Sequence, residues 1–176
     1  MANITKINNN LINAATASLA TTASYAVDHK AVTSTYVVQG KLSANQLIPT
    51  ASDTTVQFVD DFDPNNWWNA TTYRFTPTVA GYYNISFGVW FDNMATTSSN
   101  QINAQARKNG NTFMIIQQPC QNGTGISLGG TKMAYLNGSS DYVDFTAYNG
   151  ALASKNILQG NTSGSGTWFS AFLLVQ

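Results

Sequence analysis

Apolar and polar residues alternate in short runs from about residue 46 to the end of the chain. The clearest runs are TTVQFVDDF at 54–62, YYNISFGVWF at 82–91, DYVDFTAY at 141–148 and TWFSAFLLV at 167–175. A period of two places neighbouring side chains on opposite faces of a β-strand. No stretch after residue 46 shows the apolar period of about 3.6 residues that an amphipathic helix requires. The pattern predicts an all-β domain over residues 46–176.

Turn signals built on Asn, Gly and Pro separate these runs. They are Asp63-Pro64, Lys108-Asn109-Gly110, Asn122-Gly123, Asn137-Gly138 and Asn149-Gly150. Short strands joined by such turns are typical of an antiparallel sandwich or jelly roll. The 9 Phe, 8 Tyr and 4 Trp of the chain supply enough apolar surface for its core. We therefore predict an antiparallel jelly-roll sandwich.

The strand that begins near residue 82 predicts a different role for each of its faces. One face is uniformly apolar and is expected to lie in the core: Tyr83, Ile85, Phe87 and Val89. The other face carries two large aromatic residues, Tyr82 and Trp90, with small or polar residues between them. Aromatic residues are enriched where one subunit meets another. Tyr82 and Trp90 are therefore predicted to lie in a subunit interface.

Gly81 stands where the preceding loop meets this strand, directly before Tyr82 and Tyr83. A side chain at this position is expected to collide with close-packed neighbours or to forbid the backbone angles that the chain requires. Pro77 restricts the bend that leads into the strand. The glycine is thus predicted to be a packing requirement of the fold.

The residues around Gly81 carry a family resemblance. In order, they are Trp68, Phe75, Gly81, Tyr83, Ile85 and Phe87. This order resembles the signature of the globular head of the q subunit of the first complement component. Asp63 falls where that family has Asn or Asp. Ile85 stands in for the usual Phe, and the first aromatic residue of the signature is displaced by one position, to Phe58.

Three later segments resemble the same family in the same order. They are RKNG at 107–110, YLNGSSDYVDF at 135–145 and TWFSAFLLV at 167–175. The resemblance covers about residues 50–176 and implies the jelly roll that this family shares with tumour necrosis factor. It also implies a homotrimer in which each subunit turns one sheet toward the threefold axis.

Residues 1–45 differ in composition from the rest of the chain. They are rich in Ala, Ser, Thr and Asn, and contain a short repeat, TASLAT followed by TASYAV. Leu19 and Tyr25 are among the few large apolar residues of this segment. So little apolar surface cannot offset an ordering entropy of about 1–2 kcal/mol per residue. We expect an extended N-terminal arm that is ordered by what it touches, with Leu19 and Tyr25 as anchoring residues.

Charge is sparse and balanced along the chain. Charged residues make up 9% of it, and 8 Lys and Arg offset 8 Asp, so the net charge is zero. Low net charge favours association, and we expect partners to cover much of the surface. Nucleic acids and anionic membranes select a basic face, so neither is expected as a partner. No apolar run reaches the length of a membrane span, and Met1–Asn13 lacks the apolar core of a signal peptide, which predicts synthesis in a cytoplasm.

Catalytic chemistry finds little support in the sequence. The single histidine, His29, lies in the predicted arm, and the single cysteine, Cys120, has no second histidine to activate it. We predict no enzymatic activity and no cofactor. Asp60, Asp61 and Asp63 offer carboxylate oxygens of the kind that bind calcium, and some members of the complement-like family bind calcium. Alternation places Asp60 and Asp61 on opposite faces, so the expectation is no metal, with calcium as the alternative.

The repeats of the arm carry a second resemblance, to fibre and tail-fibre proteins of tailed bacteriophages. Joined to a trimeric head, it implies a virion structural protein: a fibre, knob or head decoration on the virion surface, made in the host cytoplasm. The arm would bind capsid or tail proteins, and the head would meet a glycan or protein of the host surface. The alternative is a secreted complement-like module that binds sugars or proteins.

Overall fold

The computed structural model describes residues 36–94, 100–120, 124–151, 153–160 and 166–176. Every regular element within these ranges is a β-strand. In chain order the strands are β1 (Val37–Leu42), β2 (Gln46–Ile48), β3 (Asp53–Thr55), β4 (Phe58–Phe62), β5 (Trp68–Asn69), β6 (Arg74–Phe75), β7 (Ala80–Met94), β8 (Gln101–Lys108), β9 (Asn111–Pro119), β10 (Thr124–Asn137), β11 (Val143–Asn149), β12 (Lys155–Ile157) and β13 (Trp168–Val175). Leu19, Tyr25 and His29 lie outside the described residues, so the conformation and anchoring role of the arm stay predictions.

The strands form two antiparallel sheets. The first has the order β2-β12-β7-β13-β1-β4, with β10 paired to β7. The second has the order β5-β6-β11-β8-β9, with β3 paired to β11. Most neighbours within a sheet are distant in sequence, as expected where the chain crosses repeatedly between the layers of a sandwich. The prediction of an all-β sandwich is confirmed.

Aromatic side chains from both sheets meet in the core. Phe169 of β13 contacts Trp68 of β5 with ring centroids 4.4 Å apart and Phe145 of β11 with centroids 5.2 Å apart. It also contacts Phe58 of β4 at 5.0 Å. Full burial of one such ring contributes about 1.5–3 kcal/mol to folding. Phe169 therefore joins the two layers at their centre.

The compact unit of the head begins earlier than the sequence pattern indicated. It spans Val37–Gln176, and β1 pairs with β13 on one side and β4 on the other. Val38 and Leu42 of β1 are buried in the core. The predicted boundary between residues 45 and 46 falls after this strand. The sequence pattern did not reveal β1, because the residues around it are small or polar. Its role in the core depends on pairing with β4 and β13, which the local pattern does not show.

Candidate subunit interface

The strand register leaves one long face of the first sheet directed away from the core. We call outer face the side of β1, β7, β10 and β13 that points away from the second sheet. On β7 it carries the even-numbered residues, since the odd-numbered Tyr83, Ile85 and Phe87 are fully buried. Antiparallel pairing aligns residues of β10, β7 and β13 in rows across this face.

One row at the end of the outer face is aromatic. Tyr82 of β7 pairs with Tyr135 of β10 on one side and with Val175 of β13 on the other. The two tyrosine rings meet edge to face, with centroids 5.3 Å apart and an interplanar angle of 63°. About half of each tyrosine stays exposed, 51% of Tyr82 and 47% of Tyr135. Among the described residues, the ring pair therefore forms an apolar surface that stays about half exposed.

The next row extends this apolar surface. Asn84 of β7 lies between Met133 of β10 and Phe172 of β13. A β-bulge interrupts the pairing of β13 between Leu173 and Val175. We call apolar patch the exposed apolar residues of both rows and of this bulge: Tyr82, Met133, Tyr135, Phe172, Leu174 and Val175. Their exposed fractions range from 39% to 62%. A contiguous exposed apolar surface of this kind is typical of a site of contact with another molecule.

A polar row follows the apolar patch along the outer face. Ser86 of β7 pairs with Thr131 of β10 and with Ser170 of β13. The hydroxyl oxygens of Ser86 and Thr131 are 2.8 Å apart and share a hydrogen bond. These side chains are short, so this part of the sheet is flat and a second protein surface can approach it closely.

Trp90 lies at the far end of β7 from Tyr82 and is half-buried. A Cβ built on Gly125 of β10 would lie 2.6 Å from its Nε1, so the indole rests against that glycine. Trp90 lies eight positions after Tyr82 along the strand, a distance of about 27 Å. The structure therefore does not bring the two predicted interface residues together, and Tyr82 alone belongs to the apolar patch.

Of the residues of the apolar patch, only Tyr82 was predicted from the sequence. Met133, Tyr135 and Phe172 stand at alternate positions of their strands, in TKMAYLN and in SAFLLV, and that alternation is visible in the sequence. It does not show which face points outward or which strands lie side by side. The missing information is the register of β10 and β13 against β7.

The corresponding face of the second sheet carries paired charged groups. It is not uniformly polar, because Ile115 of β9 is 51% exposed on it, and the buried hydroxyl of Thr146 on β11 has no hydrogen-bond partner among the described residues. Arg107 of β8 donates two hydrogen bonds of 2.8 Å to the buried carboxylate of Asp144 on β11. This bond raises the pKa of Arg107. The guanidinium of Arg74 stacks on Tyr142, 3.9 Å from the ring centroid. The charged groups of this face are thus paired within the chain, whereas the apolar patch lies exposed on the first sheet.

A charged cluster supports the loop beside the apolar patch. The Lys108 ammonium donates to the carbonyl oxygen of Tyr135 at 2.7 Å and lies 2.8 Å from the Asp141 carboxylate. Asn109 also donates to Asp141, at 2.7 Å. The ammonium of Lys108, and then the amide of Asn109, lower the pKa of Asp141. This cluster holds the backbone from which the Tyr135 ring projects.

The residues of the family motif lie in the core. Phe75 and Tyr83 contact each other with centroids 5.5 Å apart, and the Tyr83 hydroxyl donates to the carbonyl oxygen of Val79 at 2.8 Å. Trp68 donates through Nε1 to the carbonyl oxygen of Phe58 at 3.1 Å. Ile85 and Phe87 are fully buried on β7, and Gly81 meets the carbonyl oxygen of Val175. These positions support the fold and present no chemistry to a ligand.

Two of the three aspartates that could bind calcium have separate structural partners, and the third is exposed. Asp63 accepts hydrogen bonds from the backbone N–H of Trp68 at 2.7 Å and of Asn65 at 3.3 Å. Asp61 pairs with Lys41, and Asp60 is exposed on β4. Within the described residues no three acidic, cysteine or histidine side chains form a group that could hold a metal ion. The geometry thus gives Asp63 a role in closing its loop.

Cys120 is buried, and burial raises the pKa of its thiol. A protonated thiol is a poor nucleophile, so this cysteine behaves as a small core residue. The described part of the chain contains no helix of the length and apolarity needed to cross a membrane.

No protein-family model matches this sequence, and no curated protein is similar to it in sequence. Solved structures do share its architecture. Murine APRIL at pH 5.0 aligns with a TM-score of 0.59 at 13% identity, over 79% of this chain and 98% of that one. The globular domain of zebrafish complement 1qA aligns with a TM-score of 0.58 at 13% identity, over 80% and 98%. Eiger TNF from S. frugiperda aligns with a TM-score of 0.60 at 9% identity, over 80% and 93%.

The fold is the jelly roll of these proteins. The predicted jelly roll, and the fold that the motif around Gly81 implied, are therefore confirmed. At 9–13% identity the similarity extends to the fold alone. The homotrimer and the phage setting stay predictions.

Proposed function

We propose that this chain is a non-enzymatic structural protein of a tailed-phage virion: a short fibre, knob or head decoration on the particle surface. Three copies of the head associate through the apolar patch. The arm, which ends before β1 at residue 36, binds capsid or tail proteins, and the head contacts a glycan or protein of the host surface. The observation that carries the proposal is the apolar patch, which is exposed in the single chain.

Two further copies of the same chain are the partners that best fit this patch. The chain has zero net charge, so little electrostatic repulsion opposes self-association. Aromatic side chains bury about 150–250 Å² each and dominate interface energetics, and three of the patch residues are aromatic. A homotrimer is also what the resemblance to complement-q and tumour necrosis factor heads implies.

The phage setting is supported by the composition of residues 1–45. The repeats TASLAT and TASYAV resemble those of phage fibre proteins, and the segment has too little apolar surface to fold alone. An arm of this kind gains order by lying along another protein. A virion supplies such a surface, and it leaves the compact head facing outward.

Light scattering on the purified full-length protein tests the trimer. The expected mass is three times the 19.0 kDa of one chain. A monomer at micromolar concentration contradicts the proposed association through the apolar patch.

Removal of residues 1–35 tests the attachment to the particle. The truncated chain retains β1 and every later strand, so it should still form the trimeric head. It should be missing from purified particles, as measured by mass spectrometry of virions assembled in its presence. Incorporation at the full-length level would show that the arm is not the anchor. A protein that is never found on particles and accumulates in the medium would instead support the secreted binding module.

A further inference from the structure

A second feature of the outer face lies at the opposite end of β13 from the apolar patch. Trp168 is 41% exposed there. A Cβ on Gly88 of β7 would lie 2.7 Å from the Trp168 Nε1, so the indole lies against the glycine and its position is set by the sheet. Phe172 of the apolar patch is four residues away along the strand, about 13 Å.

Polar side chains surround this indole. Trp168 forms one side of a cleft of about 290 Å³ that Gln39, Lys41, Asp61 and Ser170 also line. Lys41 is the strand partner of Trp168 across β1, and its ammonium pairs with the Asp61 carboxylate. The side chains of Gln39 and Ser170 make no hydrogen bond within the described chain, so both can bind a ligand.

The position of Asp61 depends on a break in the strand register. β1 and β4 pair as Gln39 with Phe62 and Gly40 with Asp60, which leaves Asp61 as the extra residue of a β-bulge. Bulges redirect a side chain and are common beside binding sites. Here the bulge lets the Asp61 carboxylate reach Lys41 on the outer face.

We propose that this cleft binds an uncharged pyranose sugar, with the Trp168 indole as the platform for the apolar face of the sugar ring. An exposed indole offers a large apolar surface, and a few placed polar groups give a small-molecule site its specificity. Gln39, Ser170 and the Lys41–Asp61 pair supply donors and acceptors for ring hydroxyls. The cleft holds one cation paired with one anion, so it favours a neutral sugar over an acidic one. Its volume is at the small end of ligand pockets, which start at about 300 Å³ and suit one sugar ring.

This inference deepens the proposed function, because it rests on a head that meets the host surface and names the sugar-binding cleft.

The test follows the indole N–H signals of the ¹⁵N-labelled full-length protein by nuclear magnetic resonance. The chain has 4 Trp, and the Trp168→Phe variant assigns the relevant signal by its disappearance. The probes are the methyl glycosides of glucose, galactose, mannose, N-acetylglucosamine and N-acetylgalactosamine at millimolar concentration.

At least one glycoside should shift the Trp168 signal in a saturable way. Calorimetry with that glycoside should show that Trp168→Ala weakens binding by about tenfold or more, as expected when an aromatic platform is lost. Asp61→Asn should weaken binding with no change in oligomeric mass. Ile115→Ala, which removes an exposed apolar side chain on β9 of the second sheet, is the control and should bind like the original chain.

The proposal is overturned if no glycoside moves the Trp168 signal, or if Trp168→Ala binds as tightly as the original protein. A trimer that covers Trp168 would give the first of these results and would overturn the proposal equally. The methyl glycoside of glucuronic acid is added as the acidic probe, and tighter binding of it than of every neutral glycoside would also contradict the proposal. Light scattering on the same samples reports trimer formation separately, so failure of the cleft and failure of the proposed trimer are distinguishable.

Discussion

Tyr82 and Tyr135 pair across β7 and β10, and their rings form an edge-to-face contact with centroids 5.3 Å apart. Both rings are about half exposed, although aromatic pairs of this kind are normally buried. The contact fixes the two rings as one surface at the end of the outer face. It explains how a face with polar residues at its centre still offers a defined apolar site to a partner.

Replacing both tyrosines by serine should weaken the trimer without unfolding the head. Each ring is a candidate hot spot, and loss of such an anchor costs about 2 kcal/mol or more of binding free energy. Analytical ultracentrifugation over a range of concentrations should show Tyr82→Ser with Tyr135→Ser dissociating at concentrations where the original protein is trimeric. Circular dichroism should be unchanged. Trp90→Ser is the comparison, because its half-buried indole rests on Gly125 and lies outside the apolar patch. Equal dissociation of both variants would contradict the assignment.

Gly81→Val should destabilise the head. A Cβ at residue 81 would lie 2.5 Å from the carbonyl oxygen of Val175 and 2.6 Å from Cδ1 of Leu173, closer than packed atoms approach. Overpacking of this kind costs about 1–3 kcal/mol, and more where backbone must move. Chemical denaturation measures the loss against Ala80→Val, since residue 80 is exposed at the adjacent position. Equal stability of the two variants would mean that the glycine is not a packing requirement.

Arg107→Met should cost more stability than the loss of an exposed ion pair. It leaves the Asp144 carboxylate buried without its two hydrogen bonds, and breaking a buried pair costs about 3–5 kcal/mol. The cost is expected at the lower end, because Arg107 is partly exposed. Lys41→Met removes the exposed pair with Asp61 and should cost about 0–1 kcal/mol. Urea unfolding compares the two, and adding Asp144→Asn to Arg107→Met should recover part of the loss. Equal costs for the two single variants would contradict a structural role for the buried pair.

The folded head should lose stability at acidic pH because Asp141 becomes protonated. The folded structure lowers the pKa of this carboxyl from its ordinary value of 3.8, chiefly through the Lys108 ammonium. Ionised Asp141 therefore stabilises the folded state above that value, and this stabilisation is lost as the pH falls toward the lower, folded pKa. Asp141→Asn should be less stable than the original at about pH 7 and should lose less stability on acidification to about pH 3. Asp92→Asn, on the exposed side of β7, is the control. Parallel pH profiles for the original chain and Asp141→Asn would contradict this account.

The sequence by itself determined the fold class and the inward face of β7. Alternation is a local property of the chain, so Tyr83, Ile85 and Phe87 are recognisable as one face without any knowledge of their neighbours. The jelly roll was implied by the resemblance of four separated segments, in the same order, to the complement-q head. The arm was predicted to extend through residue 45 because β1 is short and follows a segment rich in Ala, Ser and Thr, although its burial alternates and it pairs with β4 and β13.

Only the tertiary structure decided which residues share the outer face. Tyr82 meets Tyr135 and Val175 through strand pairings between distant parts of the chain, and a shift of one residue would direct each of those side chains into the core. Trp90 and Tyr82 have the same parity on β7. The Trp90 indole rests against Gly125 of β10 and is half-buried, whereas the Tyr82 ring contacts Tyr135 of the same strand and is 51% exposed. Periodicity is read along a single strand, whereas an exposed surface is made by the register between strands, and that register is set by how the whole core packs.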